Sequence, residues 1–231
     1  MLLIIPSKPD SERDAVAREW ELRGQAVLRL DRFWEIPENV DRSAAKLYGN
    51  DTFCLVVAQK LNLTLLAPDD RIIASAPSGL VRRTVALQSL SDLESSNFPL
   101  FVKPATPKQF RGAVYQSFDA LQLECKGLHG STDVLVSEVV EFKAEARSFV
   151  LDGVIQTCSV YEGRGNADHA ATFSERVVMA LELPRTCVVD VGMLADGTWA
   201  LIELNSTWGA GLNGCDPSRV VDCIAAATVK K

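Results

Sequence analysis

Asp190, Glu203 and Asn205 are the residues of this chain best arranged to do chemistry. Asp190 lies in Val188-Val189-Asp190-Val191-Gly192, and Glu203 and Asn205 lie in Ala200-Leu201-Ile202-Glu203-Leu204-Asn205. Between them stands Asp196-Gly197, a pair suited to the positive φ values of a two-residue hairpin turn. Counting outward from that turn sets Ala195 opposite Thr198, Gly192 opposite Leu201 and Asp190 opposite Glu203, with Asn205 on the same face by strand alternation. Opposed carboxylates repel, which a hard divalent cation relieves, and two carboxylates with an amide oxygen suit Mg²⁺. The same three residues would also serve as a solvated acidic edge.

Lys103 closes the apolar stretch Phe101-Val102-Lys103-Pro104. A lysine at a strand end either reaches a phosphate or runs its stem along the surface to water. Glu145 and Arg147 stand two apart in Glu145-Ala146-Arg147-Ser148-Phe149, on one face of a strand, as an ion pair or as separate ligand contacts. Trp208-Gly209-Ala210-Gly211-Leu212-Asn213-Gly214 either presents backbone donors to an anion or forms a tight turn before the last helix.

Elements to carry these residues can be read along the chain. Met1–Ile5 and Gln25–Leu30 read as strands around a helix over Ser7–Arg23 closed by Gly24, the opening of an α/β layer. Thr52–Ala58 and Leu61–Ala67 are apolar segments. Ser78–Ser91 is predicted to be a helix, with Arg82 and Arg83 either facing an acidic substrate or, as the favoured reading, on its solvated side, and Ser91–Pro99 a linker. Strands dominate from there: Phe98–Val102, Asp133–Val140, and Arg147–Cys158 with its Asp152-Gly153 turn. A helix over Asp168–Leu183 precedes the Asp190/Glu203 hairpin, and Asp216 with Pro217 opens a last helix. The expected organisation is a small α/β domain at 1–96 and a second domain at 97–231.

A net charge of −6 over 231 residues argues against non-specific binding to nucleic acid or an anionic membrane surface. No apolar run approaches a membrane span, and Met1–Pro6 is too short for a signal-peptide core. The six cysteines have no CxxC spacing and read as core residues of a cytoplasmic protein. His129 and His169 have no partners at ligand spacing, so zinc is not expected.

Taken in order, Phe101-Val102-Lys103-Pro104, Ser137-Glu138-Val139-Val140-Glu141-Phe142, Glu145-Ala146-Arg147 and the Asp190, Glu203, Asn205 set resemble the ATP-grasp superfamily. The likeness runs from about Pro99 to the C-terminus and is nearest to short bacterial and viral members. It implies a two-lobed domain with antiparallel sheets following a small α/β domain. It further implies ATP and Mg²⁺ as cofactors and a carboxylate–amine ligase that forms an acyl-phosphate. Small-molecule kinases and non-catalytic nucleotide-binding modules are the alternatives, and the substrate would be a small molecule or peptide with a carboxylate.

By the same resemblance Lys103 binds phosphate, and Glu138, Val139, Val140 and Glu141 form the hinge against the adenine. Glu145 meets the ribose, and Arg147 meets a terminal phosphate or acyl-phosphate. Asp190, Glu203 and Asn205 would hold Mg²⁺, with Glu203 bridging two ions. Gly127-Leu128-His129-Gly130 is a candidate loop over the phosphates. Two departures stand out. Asp133–Val140 lacks the second lysine that many relatives carry before the hinge, and Val188 occupies a position where some carry arginine. Lys108 or Arg147 would have to supply the missing charge.

Overall fold

The computed structural model describes residues 1–94, 97–106 and 109–231. It begins with a parallel layer. β1 (Leu2–Pro6), α1 (Ser11–Leu22), β2 (Ala26–Leu30) and β3 (Ala45–Leu47) give a three-stranded sheet in the order β2-β1-β3. Asp10 caps α1 by accepting the Arg13 N–H, and α1 buries Val16, Ala17 and Trp20. α2 (Asp51–Leu61) starts at Asn50, whose side chain accepts the Phe53 N–H, and ends at Asn62 in the left-handed region. Its buried Phe53, Val57 and Leu61 join Ile4, Leu47 and Trp208 in one core.

β4 (Leu63–Leu65) is followed by two single turns, α3 (Ile72–Ser75) and α4 (Ser78–Val81), and then by β5 (Val85–Ser89). The helix predicted over Ser78–Ser91 is therefore one turn and a strand. Its spacing of Leu80, Val81, Thr84, Val85 and Leu87 satisfies a helical face. Yet Arg82 turns left-handed at φ +49°, and β5 finds a full antiparallel ladder on a later strand. Pairing between distant segments overrides the local pattern.

The remaining chain forms two antiparallel sheets. β6 (Leu100–Pro104), β7 (Ala113–Tyr115), α5 (Phe118–Glu124) and β8 (Asp133–Ser137) follow, with β5 completing the order β5-β8-β6-β7. β5 lies on the N-terminal side of the boundary expected at residue 96, and its partner β8 lies beyond it. β9 (Ala144–Leu151), β10 (Val154–Gly163), α6 (Ala167–Ala180), β11 (Thr186–Met193) and β12 (Trp199–Asn205) come next, the strands ordered β10-β9-β11-β12. α7 (Pro217–Ala227) and β13 (Thr228–Lys230) then return the chain to the first region, where β13 pairs with β4.

The β9–β12 sheet is covered differently on its two faces. Ala146, Val150, Val189, Val191 and Leu201 pack with Phe173 and Val177 of α6. On the other face Phe149 and Val188 pack with α7 and with Val16 and Trp20 of α1. Arg147, two residues before Phe149, continues that second face beyond its apolar cover. This face of a mixed α/β protein with antiparallel sheets carries the site.

The Asp190–Glu203 pairing occurs, by a route the turn count did not foresee. The hairpin loop holds three residues, since the Leu194 N–H donates to the Thr198 carbonyl at 2.8 Å and Gly197 takes φ +81°. Gly192 accordingly faces Ala200, not Leu201. A β-bulge between Asp190 and Val191 on one side and Glu203 and Leu201 on the other then absorbs Ile202 and restores Asp190 opposite Glu203.

Candidate functional site

Arg147 and Asp190 are directly paired across β9 and β11. The guanidinium grips the carboxylate with Nε to Oδ1 at 2.8 Å and Nη2 to Oδ2 at 2.7 Å, while Nη1 donates to the Gly211 carbonyl at 2.9 Å. Asp190 is 1 % exposed, so this is a buried pair. Burial pushes the Asp190 carboxyl up against the pull of Arg147. Burial also opposes the Arg147 cation, but the Asp190 carboxylate outweighs it and holds the guanidinium charged.

On β12, Asn205 Nδ2 donates to Asp190 Oδ2 and to Glu203 Oε1, both at 2.8 Å. A single donor thus sits between two carboxylates, where a cation would be expected to sit. Rotating the amide by half a turn presents its oxygen to the same point, and the three residues then offer the all-oxygen donor set that Mg²⁺ takes. Arg147 leaves Asp190 little spare capacity, whereas Glu203 retains more freedom with its side chain 40 % exposed.

Lys103 reaches the same place from β6. Its ammonium lies 3.2 Å from Asp70 and 3.8 Å from Glu203. Gly112 permits the approach of its stem, because a Cβ there would lie 2.9 Å from Lys103 Cβ. Burial raises the Asp70 carboxyl, and the neighbouring Lys103 ammonium opposes that rise.

Two cavities meet at Glu203. The smaller, about 130 Å³, is an apolar slot walled by Phe101, Val139, Val140, Phe142 and Ile202, with Arg83, Lys103 and Glu203 also on its lining. Its hinge, residues 138–142, lies outside any ladder, and among the described residues the backbones of Val139 and Val140 have no partner. The larger cavity, about 640 Å³, has a mixed lining that brings together the side chains of Asp69, Asp70, Arg147, Glu203 and Asn205.

The sequence-selected residues divide accordingly. Lys103, Glu138, Val139, Val140 and Glu203 surround the slot, and Arg147, Glu203 and Asn205 line the larger cavity, with Asp190 buried behind them. Glu138 is already engaged: its carboxylate accepts the Thr84 N–H at 2.6 Å and its carbonyl accepts Ser137 Oγ–H at 2.9 Å. Glu141 does not line the slot and pairs with Lys143. Glu145 lines neither cavity; its carboxylate accepts the Tyr161 hydroxyl at 2.7 Å, beside the ring that lies under Arg147. Lys108 lies outside the described residues. Gly127 and Gly130 border a separate depression with Leu90 and Phe118, away from Lys103.

The glycine-rich segment is largely occupied by the chain itself. The Leu212 and Asn213 N–H groups donate to the two oxygens of Glu12 at 2.8 and 2.9 Å, and those of Gly209 and Ala210 donate to the Ser206 carbonyl. Glu12 takes the place expected for a substrate anion.

Sequence reasoning missed four participants: Glu12, Asp70, Arg83 and Tyr161. Arg83 is no solvated helix arginine. It donates to Ser137 Oγ and to the carbonyls of Val81, Leu201 and Ile202, at 2.6 to 3.2 Å, and lies 5.8 Å from the centre of the Phe142 ring. Only its position just before β5 hints at this, and the residues of that strand carry a helical pattern.

The fold has many solved counterparts. A RimK domain ATP-grasp protein from Sphaerobacter thermophilus DSM 20745 superposes with a TM-score of 0.61 at 17 % identity, covering 97 % of this chain and 98 % of that one. The D-cycloserine synthetase DcsG gives 0.58 at 14 % identity over 97 % and 98 %. A D-alanine–D-alanine ligase from Bacillus anthracis complexed with ATP gives 0.53 at 13 % identity over 98 % and 95 %. No curated protein sequence matches the chain. Residues 80–223, more than half of the chain, match the family model described as an ATP-grasp domain, family 2 of its clade, and the protein belongs to that ATP-grasp family.

Proposed function

We propose that this protein is an ATP- and Mg²⁺-dependent ligase that joins a carboxylate to an amine through an acyl-phosphate. The observation that carries this reading is the meeting of an apolar slot and a larger cavity bearing charged groups at Glu203, with Lys103 on one side and Arg147, Asp190 and Asn205 on the other. The slot suits a purine base, read by the unpaired backbone of Val139 and Val140. Lys103 would exchange Asp70 for a nucleotide phosphate. Asp190, Glu203 and Asn205 would hold Mg²⁺, which supplies charge neutralisation for phosphoryl transfer.

Arg147 is fixed by Asp190 and Gly211 and lines the larger cavity. There it would orient a carboxylate, and afterwards the acyl-phosphate, for attack by the amine. Such chemistry depends on positioning and charge more than on a proton-transfer residue. Glu145, which lines neither cavity, would act not on the ribose but through the Tyr161 hydroxyl it accepts, whose ring lies under Arg147. The ligases among the similar structures, one of them complexed with ATP, support this reaction class.

A second reading is a nucleotide-binding module without turnover, favoured by the bidentate hold of Arg147 on the acid that should serve the metal. The deciding experiment pairs thermal unfolding in ATP, with Mg²⁺ or with chelator, with ADP release on addition of carboxylic acids and amines. A ligand at a hundredfold over its Kd adds about 2.7 kcal/mol, a shift of several degrees. A Mg²⁺-dependent shift that Glu203→Gln abolishes, together with ADP release requiring both substrates, supports the ligase. The same shift without ADP release under any combination supports the module, and no shift at all refutes both.

A further inference from the structure

We infer that Arg83 is the positioning residue that secures the β12 bulge and thereby sets Glu203 on the same face as Asp190. Trp199, Leu201 and Leu204 all contribute to the core under α6, while Glu203 and Asn205 engage Asp190 on the opposite face. Regular alternation cannot satisfy both, because Leu201 and Glu203 would then share a face. Ile202 is the extra residue that reverses the alternation.

β12 is the edge strand of its sheet, and at the bulge two adjacent carbonyls without ladder partners are taken by Arg83. Nη1 donates to the Leu201 carbonyl at 2.6 Å and Nη2 to the Ile202 carbonyl at 3.2 Å. The same guanidinium donates from Nε to Ser137 Oγ at 2.9 Å, at the last residue of β8 before the hinge. One side chain therefore ties the strand that bears Glu203 to the strand that leads into the nucleotide slot.

Arg83 lacks a carboxylate partner among the described residues, and burial lowers its pKa. A guanidinium held only by neutral oxygens is costly to bury, so its retention needs a return other than stability. The bulge supplies that return. Ile202 also lines the slot, so the same distortion shapes the nucleotide pocket. Lysine cannot replace Arg83, since an ammonium has no planar fork to span two adjacent carbonyls and Ser137 together.

The inference rests on Glu203 acting as a Mg²⁺ ligand, and the experiment separates the two claims. ATP binding is titrated against Mg²⁺ in wild type, Arg83→Lys and Glu203→Gln, with binding in chelator as the reference and circular dichroism as the check on folding. Arg83→Lys is expected to raise the half-saturating Mg²⁺ by roughly 10- to 100-fold, the effect usual for groups that orient ligands, with little change in chelator. Deleting Ile202 in the same variant removes the extra residue and leaves Glu203 opposite Asp190 in an unbroken ladder. That change should bring the Mg²⁺ requirement back toward wild type.

If Glu203→Gln shifts the Mg²⁺ requirement and Arg83→Lys does not, the inference falls while the site reading stands. Arg83 itself lines the slot, so equal loss in Mg²⁺ and in chelator for Arg83→Lys would mean that it acts only as a wall there and would also overturn the inference. If Glu203→Gln leaves the Mg²⁺ requirement unchanged, the site reading itself fails. Should Arg83→Lys not fold, Ser137→Ala removes one acceptor and is expected to raise the Mg²⁺ requirement by a smaller factor, and no rise there would likewise overturn the inference.

Discussion

Asp190 and Glu203 share one hydrogen-bond donor, the Asn205 amide, at 2.8 Å from an oxygen of each. The arrangement relieves the repulsion of two carboxylates with a neutral group, and Arg147 supplies the charge on the far side of Asp190. Asn205→Ala removes the shared donor. A buried acceptor left without its partner costs about 1–3 kcal/mol, so urea denaturation in chelator should show a loss of that size. Because Asn205 is also one of the proposed Mg²⁺ ligands, added Mg²⁺ should stabilise the variant less than the wild type, and equal Mg²⁺ effects on both proteins would count against cation binding at this point.

Asp70 gives a pH prediction of definite sign. Burial raises its carboxyl above the ordinary value of 3.8, with Lys103 opposing and Glu203 and Asp69 adding to the rise. A carboxyl raised on folding binds its proton more tightly in the folded state than in the unfolded state. Its contribution is fully present below the unfolded pKa and is lost as pH rises through the folded one. Asp70→Asn should therefore lessen the fall in stability between acid and neutral pH. Parallel pH profiles for variant and wild type would contradict the raised value.

The hairpin shows how far the sequence could be read, and why. Asp190 opposite Glu203 was legible from Asp196-Gly197 and strand alternation, but two errors cancelled: the loop is one residue longer than counted, and the Ile202 bulge restores the register. Turn chemistry is local and visible in residue types, whereas a bulge depends on Arg83, more than a hundred residues away. The same limit applies at Ser78–Ser91, where the pairing of β5 with β8 decides the structure. Glu12 was illegible for a similar reason, since its role is defined only by the distant loop it meets.

Arg147→Met breaks a buried pair from the cationic side and strands Asp190. Removing one partner of such a pair costs about 3–5 kcal/mol, which chemical denaturation would register directly. Arg147→Lys keeps the charge but cannot hold both Asp190 oxygens and the Gly211 carbonyl, so its loss should fall between wild type and Arg147→Met. If lysine proved as stable as arginine, the bidentate geometry would not matter to the fold, and its value would have to be sought in binding alone.

Glu12 binds the glycine-rich loop through both carboxylate oxygens, and the loop in turn meets Arg147 through the Gly211 carbonyl. Glu12→Ala would leave the Leu212 and Asn213 N–H groups without their acceptor, at about 1–3 kcal/mol for such a loss. Gly211 is fitted to the same contact, because a Cβ there would lie 2.6 Å from Glu12 Oε2. Gly211→Ala should therefore displace the carboxylate and reproduce part of the Glu12→Ala loss. The two changes act on one interaction, so the double variant should lose clearly less than the sum of the singles. Additive losses would mean that Gly211 is constrained by something other than Glu12, and that the loop does not depend on the carboxylate for its shape.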